Sequence, residues 1–277
     1  MDGILLIHKE AGMTSHDVVM KVRKLLHTKK VGHCGTLDPD ATGVLVLCVN
    51  KATKAIQFLT ADSKEYIAVL SLGKSTDTYD ASGKVVEEKE FTGIDHVKEV
   101  LDSFIGKQSQ VPPIYSAIKI NGKKLYEYAR ENKEVDIQPR DIEIKELELL
   151  DIKDNEITFR VLCSKGTYIR SLCVDIACKL GYPGHMKSLI RSQSGDFKLE
   201  ECYRLEDVEN GHFQLVSMDE AFAHFDRIEV DESIVIHGKK IKSDIDHEVA
   251  VYSYEGKLLA VYGPDGEGYL KSIRGLF

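Results

Sequence analysis

The stretch Gly32-His33-Cys34-Gly35-Thr36-Leu37-Asp38-Pro39, continuing to Gly43, gathers an imidazole, two carboxylates and two hydroxyls among three glycines and a proline. A carboxylate in such a loop can attack an electrophile, stabilise an electron-poor carbon or take up a proton without redox chemistry. Asp38 is therefore the first candidate for a catalytic group. Further along, Tyr66 in Lys64-Glu65-Tyr66 offers an aromatic face on which a base could stack. Tyr168 and Arg170 follow Ser164-Lys165-Gly166-Thr167 in the first turn of a predicted helix, where side chains project from a rigid support.

Each residue also has a plainer reading. Asp38-Pro39 could be an inert surface turn, Tyr66 and Tyr168 core rings, and Arg170 half of a structural ion pair. Two other motifs fit less well. Asp38-Pro39-Asp40-Ala41-Thr42 matches the D-x-D-x-T pattern of aspartate-nucleophile phosphatases, but that pattern should follow an apolar strand, and here the apolar run Val44 to Val49 comes after it. Ser164-Lys165-Gly166-Thr167 lacks the G-x-x-x-x-G-K-[ST] order of a phosphate-binding loop, because Lys165 precedes its glycine. The histidines show no ligand spacing, so no metal is expected.

The elements that must hold these residues follow from periodicity. Gly3 to Ile7 reads as a strand. Thr14 and Ser15 cap a helix to about Leu26, with Val18, Val19, Val22, Leu25 and Leu26 on one stripe. Lys29 to Gly43 is predicted to be a loop entering the buried strand Val44 to Val49. Thr53 to Leu59 suggests a short helix, Tyr66 to Leu72 a strand, and Ile94 to Phe104 a helix. Pro112 and Pro113 impose extended chain. Asn121-Gly122 marks a hairpin turn before a helix from Leu125 to Arg130. Ile142 to Ile152 and Glu156 to Cys163 read as strands, and Gly166-Thr167 opens a helix that Gly181 ends. Met186 to Ile190 is too short to assign. Beyond Phe225, β-branched runs at Ser233 to Ile236, Val249 to Tyr254, Leu258 to Tyr262 and Tyr269 to Ile273 predict a small β appendage. The mixed order gives an α+β class, with one domain over 1–226 and a second over 227–277.

Composition narrows the class. With 277 residues, 43% hydrophobic and 30% charged, the chain can bury a large core. No apolar run approaches a membrane span, and Met1-Asp2-Gly3 does not begin a signal peptide, so a cytoplasmic location is expected. Six cysteines without a C-x-x-C pair suggest neither a zinc ribbon nor a disulfide scaffold. The net charge of −8 disfavours nucleic acid as a partner unless the cations are concentrated on one face. They do cluster, in Lys21 to Lys30, in Lys119, Lys123, Lys124 and Arg130, and in Lys165 to Arg191. The acids crowd elsewhere.

The ordered set of segments is more specific than any member. Asp2-Gly3-Ile4-Leu5-Leu6-Ile7 with Lys9 and Gly12-Met13-Thr14-Ser15, the Gly32 to Gly43 loop, Lys64-Glu65-Tyr66, Gln110-Val111-Pro112-Pro113-Ile114-Tyr115-Ser116-Ala117-Ile118-Lys119, Asn121-Gly122 to Arg130, and Ser164 to Leu172 together resemble the bacterial TruB family of tRNA pseudouridine(55) synthases over roughly residues 2 to 200. The resemblance implies a pseudouridine-synthase fold: a mixed, largely antiparallel sheet with flanking helices and a small C-terminal β domain of the PUA-like kind that binds RNA. It implies isomerisation of a uridine in the T loop of tRNA, with base flipping and without cofactor or metal. By position, Asp38 falls on the catalytic aspartate, Tyr66 on the stacking tyrosine and Arg170 on the partner of the aspartate. His33, Lys9, Tyr168 and Leu189 fall on supporting positions. Lys119, Lys123, Lys124 and Arg191 are expected to meet RNA phosphates, and a monomer is expected. Glu10, where the family usually has proline, and Ile190, where it usually has arginine, are departures.

Overall fold

The computed structural model describes residues 1–60, 62–131 and 133–277. Its elements begin with β1 (Gly3–Lys9), α1 (Ser15–Leu25), β2 (Val31–His33), β3 (Thr42–Val49) and α2 (Ile56–Leu59). Next come β4 (Ser63–Leu72), β5 (Lys74–Thr76), β6 (Val85–Glu88), α3 (Val97–Asp102) and β7 (Gly106–Gln110). The hairpin β8 (Lys119–Ile120) and β9 (Lys123–Lys124) leads into α4 (Leu125–Arg130). Then follow β10 (Arg140–Lys153), β11 (Glu156–Ser164), α5 (Ile169–Lys179), β12 (Gly184–Ser194) and β13 (Phe197–Lys198). The chain ends with α6 (Leu205–Glu209), α7 (Met218–Ala221), β14 (Asp226–Val230), α8 (Glu232–Ile236), β15 (Ile241–Lys242), β16 (Val249–Ser253), β17 (Leu258–Pro264) and β18 (Tyr269–Gly275).

Two compact units share these elements, residues 1–39, 44–61 and 199–277 in one, 40–43 and 62–198 in the other. In the first unit, Thr14 caps α1: its hydroxyl accepts from Asp17 N–H at 3.1 Å, and the Asp17 carboxylate accepts from Thr14 N–H at 2.9 Å. This reciprocal cap fixes where the helix starts. The buried Val18, Val19 and Val22 then pack on Leu5 and Ile7 of β1 and Leu45, Leu47 and Val49 of β3. Burying such side chains contributes about 1.5–3 kcal/mol each, enough to hold a short helix that would not persist alone. The same unit carries a five-stranded sheet in the order β14-β16-β17-β18-β15, with its own core around Val249, Val251, Leu259 and Tyr262. Ser233 to Ile236, expected as strand, lies in α8 instead. The Asp231 side chain accepts from Ser233 N–H at 2.9 Å, and this cap overrides the β-branched run.

The second unit is a sheet in the order β12-β4-β11-β10-β7. All four neighbouring pairs are antiparallel. Against the other edge of β12, Thr42 and Gly43 pair in parallel with Ile190 and Arg191. The sheet is therefore mixed and largely antiparallel. On β4 the buried residues alternate strictly, from Lys64 through Tyr66, Ala68 and Leu70 to Leu72. Helix α5 packs on this face of β4 and β12. Gly184 makes the close approach possible, since a Cβ there would crowd Ala177 of α5 and stand 3.1 Å from Leu70 Cδ1. Met186 to Ile190, unassigned from sequence, lies inside the eleven-residue β12.

Candidate active site

In the first unit the loop from His33 to Pro39 is pinned on both sides of Asp38. Before it, Leu37 is buried; its N–H donates to Ser15 Oγ at 2.9 Å and its carbonyl accepts from that hydroxyl at 3.2 Å. After it, the Pro39 carbonyl accepts from Lys9 Nζ at 2.8 Å and from Gly12 N–H at 3.0 Å. Lys9 is fully buried and also donates to the Glu10 carbonyl at 2.9 Å. An ammonium taken wholly out of water is costly unless it is hydrogen-bonded. Here it holds backbone, and Asp38 is left half-buried at the apex of a fixed loop. His33 is half-buried, and its Nδ1 accepts from Gly35 N–H at 3.3 Å. Sequence reasoning took Ser15 only as part of a helix cap and missed this grip on Leu37. A serine buried in the first helical turn was the available signal.

In the second unit, Gly43, Arg191, Tyr66 and Val161 stand side by side on adjacent strands. Directly paired residues point to one face, so Arg191 and Tyr66 share a face. Leu189, paired with Ala68, joins them. This is the face that α5 covers. Tyr66 is 8% exposed and Leu189 7%, so each presents little more than an edge to solvent. Lys64, two residues before Tyr66, belongs to the same face, and burial together with the Arg191 charge lowers its pKa below the usual lysine range. Arg191 itself is 1% exposed. Arg191, expected among the phosphate-facing cations, is therefore not an exposed cation in the free protein, whereas Lys119 is.

The first turn of α5 grips the segment that follows β7. Tyr168, the half-buried N-cap residue, donates its N–H to Gln110 Oε1 at 2.8 Å, and its carbonyl accepts from Gln110 Nε2 at 3.1 Å. Ser171 Oγ donates to the Val111 carbonyl at 2.8 Å. The buried Arg170 guanidinium spans two loops, donating through Nη1 to the Thr78 carbonyl at 3.1 Å and through Nη2 to the Tyr115 carbonyl at 3.0 Å. Its Nη1 also lies 3.6 Å from Asp80 Oδ2. Asp80 is fixed in turn, since its Oδ1 accepts from Thr78 Oγ1 at 2.7 Å, Ser82 N–H at 3.0 Å and Ser82 Oγ at 2.6 Å. Asp80 was not singled out from sequence, and Gln110 was noted only as the start of the motif that runs to Lys119. Only a fold that brings the turn after β5, the end of β7 and α5 together reveals them.

Of the lysines expected to meet RNA, Lys119 is exposed. Lys123 is engaged by the Glu131 carboxylate and lies 5.0 Å from the Tyr128 ring. Glu131 also takes Lys133 at 2.9 Å, and the Lys123 and Lys133 hydrogen bonds pull its pKa down to about 2. Lys124 Nζ donates to Tyr126 Oη at 3.2 Å. Among the described residues, no group of three or more His, Cys, Asp or Glu side chains is placed to hold a metal ion, and no helix is long and apolar enough to cross a membrane.

Comparisons with known proteins agree over nearly the whole chain. Residues 23–169 match the TruB family pseudouridylate synthase N-terminal domain, and residues 170–226 match the tRNA pseudouridylate synthase B C-terminal domain. The sequence is similar to tRNA pseudouridine synthase B of Bacillus cytotoxicus at 46% identity, covering 99% of this chain and 97% of that protein. It is similar to the protein of the same name from Oceanobacillus iheyensis at 44%, with the same coverage. Among solved structures, a chain of a Cbf5-Nop10-Gar1 complex superposes with a TM-score of 0.76 at 27% identity, covering 99% of this chain and 85% of that one. A chain of an H/ACA RNP bound to a substrate RNA containing 2′-deoxyuridine gives 0.73 at 25%, with the same coverage.

Proposed function

The chain belongs to the TruB family of pseudouridylate synthases and makes pseudouridine in tRNA, and from that premise we propose that its target is uridine 55 of the T loop and that Asp38 is the catalytic carboxylate. The observation that carries the assignment is the double anchoring of the loop: with Leu37 held by Ser15 and Pro39 by Lys9 and Gly12, Asp38 is the residue between the two anchors. A carboxylate held this way loses little orientational freedom when substrate arrives, which favours attack in a defined geometry.

The reaction is an isomerisation. The bond from ribose C1′ to uracil N1 breaks, the base turns, C1′ joins C5, and the C5 proton leaves as N1 gains one. No oxidant or reductant enters the balance. In this reading Asp38 attacks or stabilises the electron-poor intermediate, and Arg170 is the cation paired with it, keeping it ionised. Asp80 and the Thr78 and Tyr115 carbonyls hold the Arg170 guanidinium in place. A uridine in a folded RNA loop must be turned out of its stack at a cost of a few kcal/mol. Tyr66 and Leu189 take the faces of the flipped base, with Tyr168 and His33 at its edges, and Lys9 acts only through the loop. Lys119, Lys123 and Lys124 contact the T arm, residues 227–277 form a small β domain that adds RNA contacts, and the enzyme acts as a cytoplasmic monomer without cofactor.

The test is tritium release from C5-labelled uridine in a T-arm stem-loop. Asp38→Asn should abolish release while keeping RNA affinity within a few-fold of the unsubstituted enzyme. Release by that variant at the unsubstituted rate would remove Asp38 from the chemistry.

A further inference from the structure

The Ser116 side chain is buried, 6% exposed, and its hydroxyl has no hydrogen-bond partner among the described residues. Buried hydroxyls are nearly always paired, and one that is not penalises the free protein. Its place in the chain suggests a reason. Up to Tyr115 the segment after β7 is bound to α5, through Gln110, Val111 and the Tyr115 carbonyl. From Ser116 onward the chain closes on itself. Tyr126 N–H donates to the Ser116 carbonyl at 3.2 Å and Leu125 N–H to the Ile118 carbonyl at 2.8 Å, enclosing the hairpin that carries Lys119, Lys123 and Lys124. Ser116 is thus the junction between a strapped segment and a basic hairpin. Moving the hairpin about this junction would break no hydrogen bond of the Ser116 hydroxyl, and exposing it would place it on the chain that leads directly to those lysines.

We propose that Ser116 is an RNA-contacting residue whose hydroxyl, unpaired in the free enzyme, donates to an oxygen of the ribose-phosphate backbone when the T arm binds. Serine hydroxyls commonly fix register on a nucleic-acid backbone in this way. The inference rests on the reading above that the chain binds the T arm. It goes beyond that reading in assigning a neutral, buried side chain to the substrate.

The test compares full-length Ser116→Ala and Ser116→Cys with the unsubstituted enzyme, using a T-arm stem-loop RNA. Binding is titrated across salt concentrations, thermal midpoints are recorded without RNA, and turnover is followed by tritium release. For Ser116→Ala the midpoint should be equal or higher, because an unsatisfied group has been removed. Its Kd should weaken about tenfold, the loss of one good hydrogen bond, with kcat changed less than about twofold. The slope of log Kd against log salt should stay unchanged, since a hydroxyl releases no counterion. Ser116→Cys, similar in shape and a weaker donor, should fall between the two. An unchanged Kd would make Ser116 an inert packing residue and overturn the proposal. A lowered midpoint would show that the hydroxyl has a partner in the free protein, and a weaker Kd with a shallower slope would mean displaced lysines; either also overturns it. Tritium release by the unsubstituted enzyme reads the T-arm assignment separately.

Discussion

Replacing Gly43 by alanine should damage stability and catalysis together, and the structure separates the causes. Gly43 has φ of +109°, and a Cβ there would lie 2.7 Å from the Arg191 nitrogen, 2.8 Å from its carbonyl carbon and closer still to its oxygen. These are backbone atoms of β12, so relief requires β3 and β12 to part. Gly106 supplies the control, with φ of +113° and nothing within 4 Å of its virtual Cβ. Gly106→Ala therefore carries backbone strain alone, roughly 1–3 kcal/mol. Gly43→Ala carries the same strain plus the weakened pairing of Thr42 and Gly43 with Ile190 and Arg191, roughly 2 kcal/mol at about 1 kcal/mol per hydrogen bond. At about 2–4 °C per kcal/mol for a chain of this size, the thermal midpoint of Gly43→Ala should sit roughly 4–8 °C below that of Gly106→Ala. The activity gap should be wider. Gly43 is five residues after Asp38 and lies in register with Arg191 and Tyr66, and a displacement of about 1 Å at a reacting centre can cost about a hundredfold in rate. Calorimetry and single-turnover tritium release on both variants decide the matter. Equal midpoints and equal rates would refute the view that close approach to β12, rather than φ alone, requires glycine at 43.

Arg170→Lys keeps the charge but cannot reach the Thr78 and Tyr115 carbonyls together; losing one charge-assisted hydrogen bond of about 1.5–3 kcal/mol should lower kcat/KM by about ten- to a hundredfold, and a steady-state rate near that of the unsubstituted enzyme would contradict it. Glu131→Gln should release Lys123 and Lys133 for phosphates, tightening RNA binding at low salt and steepening the salt slope by roughly one for each lysine that gains a phosphate, as filter binding at several salt concentrations would show. Hydrogen bonds that the His247 ring donates to Asp226 and Asp246 raise its pKa above 6.5. With a folded pKa above the unfolded one, the contribution is complete below about pH 6.5 and lost as pH rises through the folded value. The stability advantage over His247→Gln should therefore be larger at pH 6 than at pH 8, and thermal midpoints that differ equally at both would argue against the pairing.

Much of the framework was legible because local chemistry agreed with the final packing. Thr14 and Ser15 announce α1, and its valine stripe says which side is buried. Asn121-Gly122 marks the hairpin correctly, with φ of +51° and +80° as a tight turn requires. Strand β12 was not legible. Register shifts between Met186 and Ser188 and between Arg191 and Gln193 interrupt its alternation, and the buried Arg191 reads as a surface cation when burial cannot be seen. Ile94 to Phe104 shrank to a six-residue helix entered from His96 in the left-handed region, at φ of +57°. At the site, the residue types of Asp38, Tyr66 and Arg170 were visible, whereas what holds them was not. Lys9, Ser15 and Gln110 act through hydrogen bonds to backbone 22 to 58 residues away, and Asp80 through a local turn that meets Arg170 only in the fold; no periodicity encodes those.

The pairing of Thr42 and Gly43 with Ile190 and Arg191 has a consequence for biosynthesis. Nearly 150 residues separate the two strands, and β12 also fills the place beside β4. The strand that stands between them is the last long one of its sheet to leave the ribosome. At roughly 5–20 residues per second, the end of the Asp38 loop waits about seven to thirty seconds for its partner. Until then β4 presents an open edge, a template for wrong pairing. A chain stalled before Gly184 would hold Asp38, Tyr66 and Arg170 without the strand that sets Gly43 and Tyr66 in one row.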